Sequence, residues 1–312
     1  MARWMFGAAG KHVDTASNSR RAAWIALAVL SVVWSLNWTV MKWALDFCGP
    51  FNFCALRYVF GTMVLFALLA IRRESFALPP FWPTVLIGLA QTAGFQIFVQ
   101  WALVGGGAGK TALLAYTMPF WMVPLAWWWL HEKPGARQWL SIVIAAAGLL
   151  FVVEPWHDIG SVPSIALALA GGLAWAIGTV LSKRVFQRSR ISPLQLTAWQ
   201  MLFGTLVLCA VALIVPQRAT DWSLPFLGAL GYNAILSSGI AWALWLLIVQ
   251  RLSTHIAGLT SLVVPIAGVL FAWALLHEQP DAAEWIGIAL IGVALLSLNF
   301  ARRAPAKVCN HP

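Results

Sequence analysis

The stretch PFWMVPLAWWWLHEKPGARQW, residues 119–139, returns as PIAGVLFAWALLHEQPDAAEW at residues 265–285. A proline, a His-Glu pair, a second proline and a tryptophan recur in both copies at a constant offset of 146 residues. Each copy is an apolar run that contains a proline, followed by a short polar break and a second apolar run. The repetition predicts a duplicated hairpin, and therefore a chain built from two related halves.

The composition indicates that these hairpins lie in a membrane. The chain has 312 residues, of which 61% are hydrophobic and only 10% are charged, about half the charge of an average soluble protein. Its apolar runs approach the ~20 residues with which a helix crosses the hydrocarbon core. They are too long for barrel strands, and lipid requires that backbone polar groups are satisfied within the segment. We expect an all-α membrane protein with ten transmembrane helices, near residues 23–45, 51–71, 82–104, 110–130, 138–154, 162–183, 194–215, 223–249, 256–276 and 283–301.

The basic residues are distributed unevenly between alternate breaks. Of the 20 Lys and Arg residues, Lys42 and Arg57 fall within predicted spans, only Lys110 and Arg218 fall on one side, and the remaining 16 fall on the other. Under the positive-inside rule this asymmetry predicts cytoplasmic tails at both termini, over residues 1–22 and 302–312. The net charge of +10 is therefore explained by orientation. Nucleic-acid binding would need basic residues clustered on a solvated face.

The repeat extends beyond the hairpin. Matching residues recur at offsets of 141 and 143: Trp34 and Lys42 with Trp175 and Lys183, and Phe60-Gly61-Thr62 with Phe203-Gly204-Thr205. Halves of five spans enter the membrane in opposite directions, because five is odd. We therefore expect two inverted five-helix repeats, over residues 23–155 and 162–301. This is the architecture of secondary transporters, which alternate access around a site near the membrane midplane.

Individual residues add a family resemblance. They are Trp34-x-x-Asn37 followed by Lys42, Arg57 in the second span, the prolines of the fourth and ninth spans, and the Glu after each proline. With these residues the chain resembles the drug/metabolite transporter superfamily in its EamA-type ten-helix branch. The resemblance implies a metabolite exporter of the inner membrane, similar to the aromatic-amino-acid exporters of the YddG type. Gln200 and Gly178 replace Arg57 and Asn37 in the second half, so these side chains have no symmetric counterpart.

Acidic residues avoid the centres of the predicted spans. All ten Asp and Glu residues fall in tails, breaks or span ends, whereas proton relays and organic-cation sites generally need a carboxylate at midplane depth. His131-Glu132 and His277-Glu278 are predicted on opposite faces of the membrane, so they cannot form one metal or catalytic site, and we expect each His to end a helix. The four cysteines lack metal-ligand spacing. We expect no catalytic residue, no metal and no cofactor, and hence no enzyme.

Polar and aromatic side chains within the spans form the candidate substrate site. They are concentrated in spans 1, 3, 4, 6 and 8: Asn37, Trp38, Lys42, Gln91, Phe95, Tyr116, Trp175, Thr179, Tyr232, Ser238 and Trp242. Neutral donors and acceptors beside aromatic rings suit a zwitterion with an apolar or aromatic side chain, or another uncharged metabolite. We expect Pro119 and Pro265 to kink the fourth and ninth spans around this cavity. The alternative is that such polar side chains only tie helices together.

Two cations within the spans have two interpretations. Lys42 and Arg57 lie near the outer ends of their spans, where a long side chain can reach the membrane interface. The functional interpretation is a cationic anchor for a substrate carboxylate, because intramembrane cations are costly and usually face the bundle interior. The sequence does not choose between the two.

The sequence thus predicts a secondary transporter that exports aromatic or neutral amino acids, or related small metabolites, as a facilitator or exchanger. A nucleotide-sugar or sugar-phosphate exchanger is one alternative, and it should line its cavity with several basic residues. A membrane-embedded transferase is another, and it would need clustered acids. The expected partners are a small-molecule substrate and the lipid bilayer, without nucleic acid. Small residues in spans 5 and 10, including Gly148 and Gly287, allow close packing within the bundle or in a homodimer.

Overall fold

The computed structural model describes residues 7–131, 133–154, 162–241, 244 and 260–301. Within these ranges the chain forms helices and no β-strand. In chain order the helices are α1 (Gly7–Ala44), α2 (Pro50–Ile71), α3 (Phe81–Gly105), α4 (Ala108–Ala115), α5 (Met118–Leu130), α6 (Ala136–Val153), α7 (Val162–Arg188), α8 (Pro193–Ile214), α9 (Leu224–Ile240), α10 (Thr260–Leu276) and α11 (Ala282–Ala301).

Six helices of the described part are long and apolar enough to cross a membrane. They are α2, α3, α6, α7, α8 and the part of α1 over Trp24–Ala44, while α9, α10 and α11 contribute shorter apolar segments. The helix α1 begins at Gly7, inside the segment predicted as an N-terminal tail. These lengths and compositions are those of a multi-pass membrane protein.

The fourth predicted span is divided between α4 and α5. The Thr117 hydroxyl donates a hydrogen bond to Leu114 O (2.7 Å) and so occupies a carbonyl at the end of α4. Pro119 lies in the first turn of α5. A backbone N–H at this position would have no acceptor within the helix, so a proline, which lacks one, is well tolerated there. The interruption thus precedes Pro119, whereas Pro265 lies inside α10.

The two histidines of the repeated hairpin end their helices. His131 follows α5 and His277 follows α10, with φ of 56° and 58°. This left-handed backbone turns the chain out of the helix and is a common helix C-cap. The expectation that each histidine ends a helix is confirmed.

Two helices contain π-helical segments at related positions. In α3 the segment is Gly88–Gly94, and in α9 it is Tyr232–Ile240. A π-turn adds a residue to the helical turn, which realigns the side chains that follow, and such turns are frequent at functional sites. These segments carry Gln91, Tyr232 and Ser238 from the predicted site.

Glycines allow close helix approach at two crossings. A Cβ on Gly204 of α8 would lie 2.7 Å from Gly88 O of α3. A Cβ on Gly287 of α11 would lie 2.7 Å from Gly148 O of α6. The small residues of spans 5 and 10 therefore pack these two helices together within one chain, and the homodimer stays a prediction.

Helix N-termini are capped from distant parts of the chain at one end of the bundle, called here the α1–α2 end. Gln217, in the connection between α8 and α9, accepts hydrogen bonds through Oε1 from Phe51 N (2.8 Å) and Asn52 N (3.1 Å) of α2. These bonds satisfy N–H groups that have no partner within the helix. The α8–α9 connection is thereby held against the start of α2.

The glutamate of the second hairpin caps α4 at the same end. Glu278 Oε1 accepts a hydrogen bond from Ala108 N (2.8 Å), and its Oε2 accepts one from Gly109 N (3.0 Å). A carboxylate here also interacts favourably with the positive end of the helix dipole. Its counterpart in the first hairpin, Glu132, lies outside the described residues.

Candidate functional site

A cavity of about 410 Å³ lies between residues of both sequence halves. Eight residues of the predicted site line it: Asn37, Trp38, Gln91, Phe95, Tyr116, Trp175, Thr179 and Ser238. Lys42 and Tyr232 do not line it, and Trp242 lies outside the described residues. Arg57, for which the sequence left a substrate contact open, also lines the cavity. Further lining residues were not among the predicted site residues: Met41, Tyr58, Thr92, Gln96, Met118, Ser182, Gln200 and Ser237.

Two pairs of aromatic rings form walls of the cavity. Trp38 of α1 meets Tyr116, which follows α4, with ring centroids 6.1 Å apart. Phe95 of α3 meets Trp175 of α7 with ring centroids 4.8 Å apart. Both pairs are edge-to-face, an arrangement that adds stability beyond the buried area. The walls are therefore apolar, rigid and drawn from different helices.

Neutral polar groups of α3 connect the walls to neighbouring helices. Gln91 Nε2 donates to Thr179 Oγ1 of α7 (3.2 Å). Thr92 Oγ1 donates to Gln200 Oε1 of α8 (2.8 Å). The residues of both hydrogen-bonded pairs also line the cavity. The same side chains therefore connect helices and line the candidate site. The π-helical turn of α3 brings these side chains to adjacent helices.

Arg57 is buried in the cavity wall. Its side chain belongs to α2 and is only 4% exposed, which excludes the reach to the membrane interface that the sequence left open. The guanidinium carbon lies 5.0 Å from the centroid of the Tyr58 ring, a cation–π contact. The sequence signals for Arg57 were its position within an apolar span and its place in the family resemblance, whereas its burial and the direction of its side chain could be seen only in the structure.

Lys42 and Tyr232 make structural contacts instead. Lys42 Nζ donates to Leu103 O (2.6 Å) and Gly106 O (2.9 Å), carbonyls at the end of α3. Tyr232 OH donates to Val33 O of α1 (2.7 Å). Both side chains thus bond backbone carbonyls of other helices rather than facing the cavity.

The cavity reaches the surface at the end of the bundle where α7 passes into α8, called here the α7–α8 end. There its lining includes Phe186, which is 40% exposed, and the exposed Pro193. Toward the α1–α2 end the chain is closed by an apolar cluster in which Phe53, Leu103 and Phe226 are fully buried. Access in this structure is therefore from the α7–α8 end.

Charge in the cavity is limited to one sign. Among the described residues that line it, Arg57 is the one charged side chain, and neither Asp nor Glu is present. Two described carboxylates lie outside the cavity lining: Glu284, which pairs with Lys110 (2.8 Å) at the α1–α2 end, and Glu74, which accepts a hydrogen bond from Ser192 at the α7–α8 end. The described lining can therefore bind a neutral or anionic group but offers no counter-ion to a cation.

Comparison with known proteins gives a consistent result. A family model described as the EamA-like transporter family matches the chain twice, over residues 22–154 and 162–300. An uncharacterized transporter of Bacillus subtilis (strain 168), YoaV, is 26% identical over 291 residues, covering 89% of this chain and 98% of its own. A probable amino-acid metabolite efflux pump of Escherichia coli (strain K12) is 26% identical over 298 residues, with 91% and 97% covered. A solved crystal structure at 22% identity has a similar fold, with a TM-score of 0.65 over 91% of this chain and 98% of its own.

Proposed function

This chain belongs to the EamA-like transporter family, and from that membership we propose that it exports aromatic or neutral amino acids, or related small metabolites, across the inner membrane. It works as a facilitator or exchanger by alternating access. Both termini lie in the cytoplasm, so the cavity of the present structure opens inward at the α7–α8 end. The bacterial relative described as a probable amino-acid metabolite efflux pump supports the substrate class.

The lining of the cavity is the observation that carries the proposal. Edge-to-face rings line it beside neutral amides such as Gln91 and Gln96. An amino acid of this class has polar amino and carboxylate groups and an apolar side chain. The amides of the cavity wall can bind the polar groups, and the aromatic rings can contact the side chain. Small-molecule sites commonly combine apolar walls with a few placed polar groups.

Two inverted five-helix repeats, residues 23–155 and 162–301, are part of the proposal. The family model matches once in each half, and the π-helical segments of α3 and α9 lie at related positions of the two halves. Inverted repeats allow the two halves to rock about a central site. With α4 and α5 counted as one span, the helices α1 to α11 correspond to the ten predicted spans.

The phosphate-carrying alternative is less well supported. An exchanger of nucleotide sugars or sugar phosphates must hold a group that carries up to two negative charges, which takes several cations. Arg57 is the one cation among the described lining residues. A singly charged or zwitterionic solute fits this lining better.

Transport into and out of proteoliposomes tests the proposal. Vesicles loaded with labelled phenylalanine or leucine, without a pH gradient, should release the amino acid down its own gradient faster than protein-free vesicles. Trp175→Ala, in the cavity wall, should slow release, whereas Trp82→Ala, at a 71% exposed side chain outside the lining, should not. Absence of release for a panel of aromatic and neutral amino acids would reject the proposed function.

A further inference from the structure

The buried guanidinium of Arg57 has no countercharge in the described part of the chain. The two ion pairs found there join Arg72 with Glu74 and Lys110 with Glu284, so neither involves it. An unpaired buried charge costs several kcal/mol even after relaxation. A cation kept at this cost within a membrane span is a candidate for ligand binding.

Two donors of the Arg57 guanidinium have no acceptor in the described part of the chain. Both Nε and Nη1 are buried and lack an acceptor, although the side chain lines the cavity. A planar guanidinium binds the two oxygens of a carboxylate through Nη2 together with either Nε or Nη1, so each unpaired donor can form one half of such a pair. The Tyr58 ring lies against the guanidinium and limits where it can move. The Arg57 side chain thus lies beside the space that a solute would occupy, and two of its donors lack a partner among the described residues.

Unpaired acceptors line the same cavity. Asn37 Oδ1 and Gln96 Oε1 are buried without a hydrogen-bond partner among the described residues, and both residues are more than nine-tenths buried. Burying an acceptor without a partner destabilises the protein. A protonated amine offers three donors and would satisfy such oxygens. One cavity therefore combines unpaired donors of a cation with unpaired neutral acceptors.

The number of charges limits the anion. With Arg57 as the one charged lining residue described, a single negative charge is balanced and a phosphate dianion is not. Beside this group the wall is aromatic, with Phe95 against Trp175 and Trp38 against Tyr116. The cavity is thus complementary to one carboxylate on an apolar body.

We propose that Arg57 binds the carboxylate of the transported solute through a two-pronged hydrogen bond, and that the amide oxygens of Asn37 and Gln96 accept from its amino group. This inference rests on the proposed function and specifies its substrate class as small carboxylic acids with an apolar or aromatic body. Solutes whose carboxylate is replaced by an amide or ester, and amines without a carboxylate, are excluded.

Binding to the purified full-length chain in nanodiscs tests the inference. The ligands are phenylalanine, 3-phenylpropionate, phenylalaninamide and phenyl phosphate, and affinity is measured by calorimetry. Wild-type protein should bind the two carboxylates at least tenfold more tightly than the amide or the phosphate. Arg57→Gln should weaken the carboxylates by about 10- to 100-fold, the range for losing hydrogen bonds to a charged group, without changing the amide. Arg57→Lys should keep part of the affinity, and Arg72→Gln, outside the cavity, should keep all of it.

The outcomes distinguish failure of the Arg57 carboxylate site from failure of the proposed transport function. The comparison of acid with amide uses wild-type protein alone, so it holds even if Arg57→Gln does not fold. Equal affinity for phenylalanine and its amide, or carboxylate binding unchanged in a folded Arg57→Gln protein, overturns the inference. If phenylalanine does not bind but 3-phenylpropionate binds in an Arg57-dependent way, the carboxylate site stands, and the amino-group contacts of Asn37 and Gln96 and the amino-acid substrate are wrong.

Discussion

Thr62 Oγ1 lies 2.9 Å from Thr205 Oγ1 where α2 crosses α8. The two residues occupy the same place in the two copies of Phe-Gly-Thr, 143 positions apart. When equivalent residues of two copies contact each other, the axis that relates the copies passes between them. In the proposed architecture the pseudo-two-fold axis therefore crosses the bundle at this pair.

A double-mutant cycle measures how much this contact stabilises the protein. Thr205 Oγ1 donates to Met201 O (2.7 Å), so Thr62 is the donor within the pair. Thr62→Val should lower the free energy of unfolding by about 0.5–1.5 kcal/mol, measured by reversible denaturation in mixed micelles. Thr205→Val should cost more, because it leaves the buried Thr62 hydroxyl without an acceptor. The double variant should cost less than the sum, and additive costs would exclude coupling.

The glycine crossing of α3 and α8 predicts a steric effect. A Cβ on Gly204 would lie 2.4 Å from Thr92 Cβ, so Gly204→Ala should separate the helices and destabilise the protein by about 1–3 kcal/mol. The shift should also move Thr92 away from Gln200 and slow transport. Gly228→Ala is the matched control, since no atom lies within 4 Å of its added Cβ. Thermal denaturation of both variants checks the prediction, and equal losses would contradict it.

The helices that cross the membrane could be predicted from the sequence because a long apolar run has one stable state in lipid. The division of the fourth span could not, since Pro119 is compatible with either a kink or a helix start. The π-helical turns also left no signal, because a single added residue per turn does not disturb an apolar pattern. The direction of a side chain is equally hidden in composition. Arg57 and Lys42 are both cations in spans, yet one lines the cavity and the other bonds carbonyls.

Lys42 is expected to act through stability rather than through substrate affinity. Its ammonium holds Leu103 O and Gly106 O at the end of α3, and hydrogen bonds from a charged donor are stronger than neutral ones. Lys42→Met should lower the free energy of unfolding by about 1–2 kcal/mol and leave substrate affinity within twofold. Denaturation and calorimetry on one sample check both. A tenfold loss of affinity at unchanged stability would instead support the substrate contact predicted from the sequence.

The carboxyl pair of Glu154 and Asp281 predicts a pH dependence at the α1–α2 end. Desolvation, followed by the negative charge of Asp281, raises the pKa of Glu154 above its ordinary value of 4.5, and Lys110 partly opposes this. A group with a raised folded-state pKa stabilises the protein below its ordinary pKa, and this stability is lost as the pH rises through the raised value. Glu154→Gln should therefore remove a decline in thermal stability above about pH 4.5. Glu74→Gln, at a carboxylate outside this cluster, should retain the decline.

The pKa of Asp281 is shifted in the opposite direction from that of Glu154. A hydrogen bond from Glu284 N to its carboxylate lowers the pKa of Asp281. Its contribution is present above the ordinary Asp pKa and is lost as the pH falls through the lowered value. Asp281→Asn should reduce acid sensitivity and also bring the pKa of Glu154 closer to its ordinary value. An unchanged Glu154 titration in this variant, followed by NMR of labelled glutamate, would show that the two carboxyls do not interact.

Glu278 predicts a change in the conformational equilibrium, because its carboxylate joins the two halves at the end that opens for release in the proposed mechanism. In alternating access, the bonds to Ala108 N and Gly109 N break when the α1–α2 end opens. Glu278→Gln offers one acceptor oxygen and no charge, so this closure should weaken by about 0.5–2 kcal/mol, the usual loss for a capping side chain. The open population should rise correspondingly, by about 2- to 30-fold.

Cysteine labelling detects this opening. Ala112 is fully buried one turn beyond the cap and does not line the cavity, so Ala112→Cys in a background without other cysteines should react slowly with an impermeant maleimide. Adding Glu278→Gln should speed its labelling. The matched control is Gln138→Ala, which removes a capping side chain whose bond from Gly135 N (2.8 Å) stays within the first half. Because the Glu278 bonds join the two halves and the Gln138 bond does not, labelling that rises equally in both variants, or in neither, contradicts a closing role for the Glu278 contact.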